Sequence, residues 1–212
     1  MEQGLVRSHG RLRLAGHGRG RPGWLHVGPL EERLTRGWDP GVFPDAGLLL
    51  GVMTLAAVPR GLAVRLAAHL SGGIYLGPGA VPDLSGFESL RDVRLPVQDG
   101  GWDRSPGVYD PVARRIGVGT VPSPSVSVCG HELGHACDHM DGFPSRAQFW
   151  AGLHRECADH LASPYREDAG ELFAECFASV LTRRVTRLIR LLGDEARAEG
   201  VYHWLSGRYG IG

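Results

Sequence analysis

Short apolar runs broken by Gly and Pro punctuate the first half of the chain, while apolar positions three or four apart dominate the second. The first pattern predicts strands, the second helices. Gly47–Val58 is nearly continuously apolar and reads as a helix or a buried strand. Pro59–Leu70 reads as a helix, with Leu62, Leu66 and Leu70 on one face and Pro59 near its start, where a missing N–H does no harm. Ser71-Gly72-Gly73 breaks it, and Ile74–Leu76 reads as a short strand. Leu84–Arg91 is a loop or a helical turn, and Val93–Val97 is a further strand. Gly107–Pro111 and Arg115–Gly119 flank the Asp110-Pro111 turn and predict a hairpin.

Helical spacing then takes over. A helix runs through residues 131–135 and stops at Asp141-Gly142-Phe143-Pro144. Ser145 caps a second helix through about Ala162, with Phe149, Leu153, Cys157 and Leu161 on one stripe. Asp168 opens a third that continues to Leu192, and Asp194–Leu205 forms a last one. In the third, Arg183, Arg184, Arg187 and Arg190 alternate with apolar residues and read as a solvated basic face.

The N-terminal part behaves differently. Residues 1–23 are rich in Arg, Gly and His and offer too little apolar surface to offset ordering, so they read as flexible, with a basic arm as the functional alternative. Trp24–Phe43 carries scattered aromatics and a short helix near Glu31–Arg36, as a lid or strap would. The expected division is an N-terminal extension over 1–44 and one domain over 45–212. Its class is α+β, a small twisted sheet followed by helices.

Composition narrows the function. Balanced charge, 23 basic against 23 acidic residues, argues against nucleic acid as a partner. No apolar leader follows Met1 and no run is long enough to span a bilayer, so the default expectation is a cytoplasmic protein, with export by a non-classical route as the alternative. Cys129, Cys137, Cys157 and Cys176 lack CxxC spacing and read as buried, reduced thiols.

The candidate chemistry is concentrated in His131-Glu132-Leu133-Gly134-His135. Histidines four apart lie on one helical face, where both imidazoles can bind one Zn²⁺. Glu132 between them is placed to take a proton from the attacking water. Zinc needs a third protein ligand. Glu171 and Glu175 share a helical face, so that one can bind metal while the other holds a histidine from behind. Asp168-x-x-Glu171 also fits a capping box, in which Glu171 would serve the backbone alone. Asp141, six positions after His135, is the rival ligand, although Asp138 stands where a metzincin needs glycine. His139 lies one further turn along the helix. Just upstream, Ile116, Gly117, Val118 and Gly119 are the expected sheet edge to which an extended substrate adds its backbone.

The order Gly107-Val-Tyr-Asp-Pro111, strand, Ser-rich loop, His131-Glu-Leu-Gly-His-Ala-Cys-Asp138, helix, Glu171-Leu-Phe-Ala-Glu-Cys-Phe177 resembles the catalytic domain shared by anthrax lethal factor and the Pro-Pro endopeptidases. The resemblance covers roughly residues 45–192 and is densest over 107–181. It implies a zincin-like endopeptidase of the gluzincin type, acting on a peptide or protein, with Glu171 as third zinc ligand and Glu175 behind it. It also implies a tyrosine whose hydroxyl steadies the oxyanion; Tyr165 is the candidate, six positions before Glu171 where the family has seven. Regulatory peptidases of the ImmA/IrrE kind are similar in the same segments. A toxin or effector protease domain and a non-catalytic zinc-binding domain are the other readings.

Overall fold

The computed structural model describes residues 24–93 and 101–212. The predicted arm over 1–23 and nearly all of the strand expected at Val93–Val97 lie outside them. Four short strands form one mixed sheet: β1 (Leu34–Arg36), β2 (Gly73–Leu76), β3 (Gly107–Asp110) and β4 (Arg115–Val118), in the order β1-β2-β4-β3. β1 pairs with β2 and β2 with β4 in parallel, and β4 with β3 antiparallel. Parallel neighbours need a crossover. Helices α1 (Ala46–Ala56) and α2 (Arg60–His69) supply it between β1 and β2. The apolar run at Gly47–Val58 is thus a helix, capped by the Asp45 carboxylate, which accepts from Leu48 N.

Two expectations change here. The domain does not begin at Asp45: β1 is a sheet edge, and Val27 and Leu30 are buried in the main core. Three residues cannot announce a strand by alternation, and Glu31–Arg36 divides between a 3-10 turn (Gly28–Arg33) and β1. Nor is Ile116–Gly119 an edge. β4 lies between β2 and β3, its backbone taken on both sides, so among the described residues the edge beside the His131–His135–Glu171 cluster belongs to β3.

The helical half contains α3 (Val128–Met140), α4 (Gln148–Cys157), α5 (Ala169–Leu181), α6 (Val185–Leu192) and α7 (Glu195–Tyr209). The long helix expected from Asp168 to Leu192 is broken: Arg183 takes a left-handed φ of 57°, and α6 starts afresh in a new direction. The helix expected from Ser145 starts later, at Gln148, because Ser145 is held by Asp138. On α4 the buried aromatic is Trp150, and Phe149 is exposed. Trp150 packs edge-on against Phe173 of α5 and Trp204 of α7. All four cysteines are free and buried. Among the described residues, no single helix is long and apolar enough to cross a membrane.

One contact places the site. A Cβ on Gly134 of α3 would stand 2.7 Å from the Ala174 Cα of α5, and one on Gly130 would stand 3.2 Å from the Ala178 Cα. Small residues at a spacing of four on both helices let the backbones nearly touch. α5 thereby presents its first turn to the histidines of α3.

Candidate metal centre

α3 begins at Ser127, whose hydroxyl accepts from Gly130 N. One turn in, His131 and His135 project from one face with their Nε2 atoms 3.1 Å apart. Glu171 meets both: its Oε2 is 3.2 Å from His131 Nε2 and its Oε1 3.3 Å from His135 Nε2. The capping role at α5 falls to Asp168, which accepts from Gly170 N, and leaves the Glu171 carboxylate turned to the imidazoles. Tetrahedral bonds of about 2.0–2.1 Å to zinc separate ligand atoms by about 3.3 Å. The two imidazole nitrogens, each with one Glu171 oxygen, stand near that spacing, and one donor atom from each residue lies within 4.8 Å of the others, so the residues fit the ion. Among the described residues they form the single cluster of three or more His, Cys, Asp or Glu able to hold a metal.

Charge follows the same geometry. Burial works against a proton on His131, but Glu171 and Glu175 outweigh it and hold its pKa up at about 10. Burial pushes the Glu171 carboxyl up, and His131 and His135 more than reverse this, leaving it well below the usual carboxylate range.

Glu175, fully buried, backs the site. It accepts from Ser125 Oγ at 2.7 Å and Val126 N at 3.1 Å. Its Oε2 lies 3.4 Å from His131 Nδ1, a charge contact outside hydrogen-bond geometry, so that Nδ1 remains a buried atom without a hydrogen-bond partner. A carboxylate at that position orients the imidazole and raises its basicity.

Glu132 points to the other side, against β3. Gly107 makes room for it: a Cβ there would be 2.6 Å from Glu132 Oε1 and 2.4 Å from Val128 Cγ1. Burial raises the Glu132 pKa, while His131 and His135 and the backbone N–H of Tyr109 pull it back. The cluster lies on the floor of a cleft of about 630 Å³, walled by β3, the Pro122–Ser125 loop and Tyr165. Tyr165 is buried, and its hydroxyl is pushed up to about 12 by burial and by the nearby Glu175 and Glu171.

Asp141 is elsewhere. It closes α3 and pairs with Arg65 and Arg208. Asp138 explains this: its carboxylate holds Ser145 N and Oγ, at 2.8 and 2.7 Å, and fixes the chain beyond α3 away from the His131–His135–Glu171 cluster. His139 also serves a different contact. Its Nδ1 lies 2.6 Å from the Tyr109 hydroxyl, which lies 2.8 Å from His69 Nε2. Sequence reasoning did not single out Tyr109, Ser125 or Arg187, whose roles depend on which elements meet.

Fold and site together define an α+β chain with a small mixed sheet and a two-histidine, one-glutamate cluster able to bind a metal ion. No family model matches the chain. No curated protein matches it either. Among solved structures, the fold is similar to that of the Pro-Pro endopeptidase from Paenibacillus alvei, with a TM-score of 0.63 over 83% of this chain and 99% of that one. Identity is 17%, and at that level the likeness is one of fold.

Proposed function

We propose that this chain is a zinc-dependent endopeptidase of the gluzincin type, with His131, His135 and Glu171 as ligands. The observation that carries the reading is a pair of imidazole nitrogens 3.1 Å apart, each met by a Glu171 oxygen at 3.2–3.3 Å, beside a buried carboxylate on a cleft floor. Three protein ligands leave a position open, as a catalytic site needs and a structural one does not. Zinc bound there would polarise a carbonyl and acidify water.

The chain's own residues do the rest. Glu132, buried and raised in pKa, takes a proton from the attacking water and passes it to the departing amine. β3 offers its edge to an extended peptide, which adds to the sheet by backbone hydrogen bonds. Tyr165, protonated at neutral pH, donates to the oxygen that gains charge. The motif order of lethal factor and the named activity of the Paenibacillus alvei neighbour support peptides with paired prolines as the first substrates to try.

The test is zinc-loaded protein on a peptide library that includes Pro-Pro pairs, read by mass spectrometry. Cleavage should stop with chelator and return with zinc. Glu132→Ala should keep the metal and lose at least ~10²-fold in turnover, the low end for removing a general base. Zinc-loaded wild type that cleaves no peptide, or Glu132→Ala that cleaves as fast, overturns the reading.

A further inference from the structure

On a continuous helix Arg187 would lie about 18 Å along the axis from Glu175, beyond the reach of any side chain. The left-handed turn at Arg183 redirects the chain, and α6 carries Arg187 back to the metal centre. Its Nη2 donates to Pro124 O at 3.0 Å and lies 3.5 Å from Glu175 Oε1. The charge of the guanidinium also acts on the Tyr165 hydroxyl, lowering its pKa against the burial that raises it. Its Nε is buried without a partner.

Each partner matters to the cleft. Pro124 belongs to the wall loop that leads into α3. Pro122 and Pro124 have no N–H, so this loop is short of backbone donors, and Arg187 supplies one from outside to the Pro124 carbonyl. Glu175 sits behind His131, and Tyr165 faces the cleft beside Glu171. One planar fork with several donors can reach a carbonyl and a carboxylate together; a lysine ammonium cannot match it in rigidity.

We propose that Arg187 is a positioning residue of this site, tying the Pro122–Ser127 wall loop to the buried Glu175 and so setting the imidazole of His131 and the hydroxyl of Tyr165 in register. The inference deepens the peptidase reading and rests on it for its kinetic consequence, but not for its effect on the metal. Arg187 touches neither the metal ligands' donor atoms nor the cleft floor, so it acts through Glu175, Pro124 and Tyr165.

Zinc affinity by chelator competition and thermal unfolding are measured on full-length Arg187→Met, Arg187→Lys, Leu188→Ala and Arg190→Met. Arg187→Met should bind zinc about 10-fold more weakly, as changes behind a ligand do. Arg187→Lys keeps the charge, folds even where the methionine variant does not, and should still bind more weakly than wild type. Leu188, buried on the same helix, controls for stability: Leu188→Ala should lower the melting temperature and leave zinc affinity intact. Arg190→Met should change neither. In the peptidase assay, Arg187→Met should lower kcat more than it raises KM. Wild-type zinc affinity in both Arg187 variants overturns the proposal, as does an equal loss in Leu188→Ala. If wild type binds zinc but cleaves nothing, the peptidase reading fails, and the zinc measurements still decide the role of Arg187.

Discussion

Gly134→Ala tests whether helix spacing creates the metal site. By helix propensity alone the change gains about 1 kcal/mol. The structure predicts the opposite sign. The new Cβ would lie 2.7 Å from Ala174 Cα, 3.1 Å from its carbonyl oxygen and 3.2 Å from its Cβ. Carbon atoms rest at about 3.5–4.0 Å, so α5 must retreat by about 1 Å. Overpacking of this kind costs about 1–3 kcal/mol, enough to cancel or exceed the propensity gain. The effect on the metal is sharper. Glu171 stands one turn from Ala174 on the same helix, with its oxygens now 3.2–3.3 Å from the histidine nitrogens. Metal–ligand bonds tolerate errors of about 0.2 Å, far less than the retreat. Zinc affinity should fall at least ~10-fold in competition with a chromophoric chelator, and the metal-free protein should melt no higher than wild type. Gly152→Ala on α4, where a Cβ meets nothing within 4 Å, is the control and should only stabilise. Gly134→Ala with wild-type zinc affinity and a raised melting temperature would refute the reasoning.

Three further outcomes follow from the site. Glu171→Gln should lose more zinc affinity than Glu175→Gln, whose loss should be about 10–100-fold, while Asp141→Asn should leave zinc untouched and cost about 0–1 kcal/mol for each weakened Arg pair, read by chelator competition and denaturant unfolding. Tyr109→Phe removes a hydroxyl shared by His69 and His139 and should destabilise the fold by about 1–3 kcal/mol with zinc affinity retained. Zinc binding at pH 7 should release a proton, seen by calorimetry in buffers of different ionisation enthalpy, because His131 is protonated up to about 10 and must be neutral to ligate. The sign is that affinity rises with pH towards that value. In the metal-free protein the same raised pKa contributes stability below the unfolded value near 6.5 that is lost as pH climbs through about 10.

What the sequence reveals here is what lies within one helical turn. His131 with His135, and Glu171 with Glu175, are pairs four apart, and helix geometry alone puts each pair on one face. Which pairs meet is also legible, since the second motif supplies a third donor to the cluster that the first begins. Strand order is not. β3 and β4 announce themselves as a hairpin, yet which of them is interior depends on β2, some forty residues away in the chain, inserting beside β4. Arg187 looked like a solvated residue because the helix was read as continuous; the break at Arg183 carries no glycine or proline to signal it. Nor did Gly134 advertise its use, since its value lies in the alanine facing it from α5.

The meeting of α3 with α5 has a consequence for chain entropy. Zinc held by His135 and Glu171 would cross-link the chain around a loop of about 36 residues, and a permanent link of that length removes about 4 kcal/mol of unfolded-state entropy. With every cysteine free and buried, none of that constraint comes from a disulfide. The enclosed loop holds α4 and the turn bearing Tyr165. A protein stripped of its metal would therefore loosen first in the segment that walls its own cleft, and protease cuts between α3 and α5 would register the loss of zinc before global unfolding does.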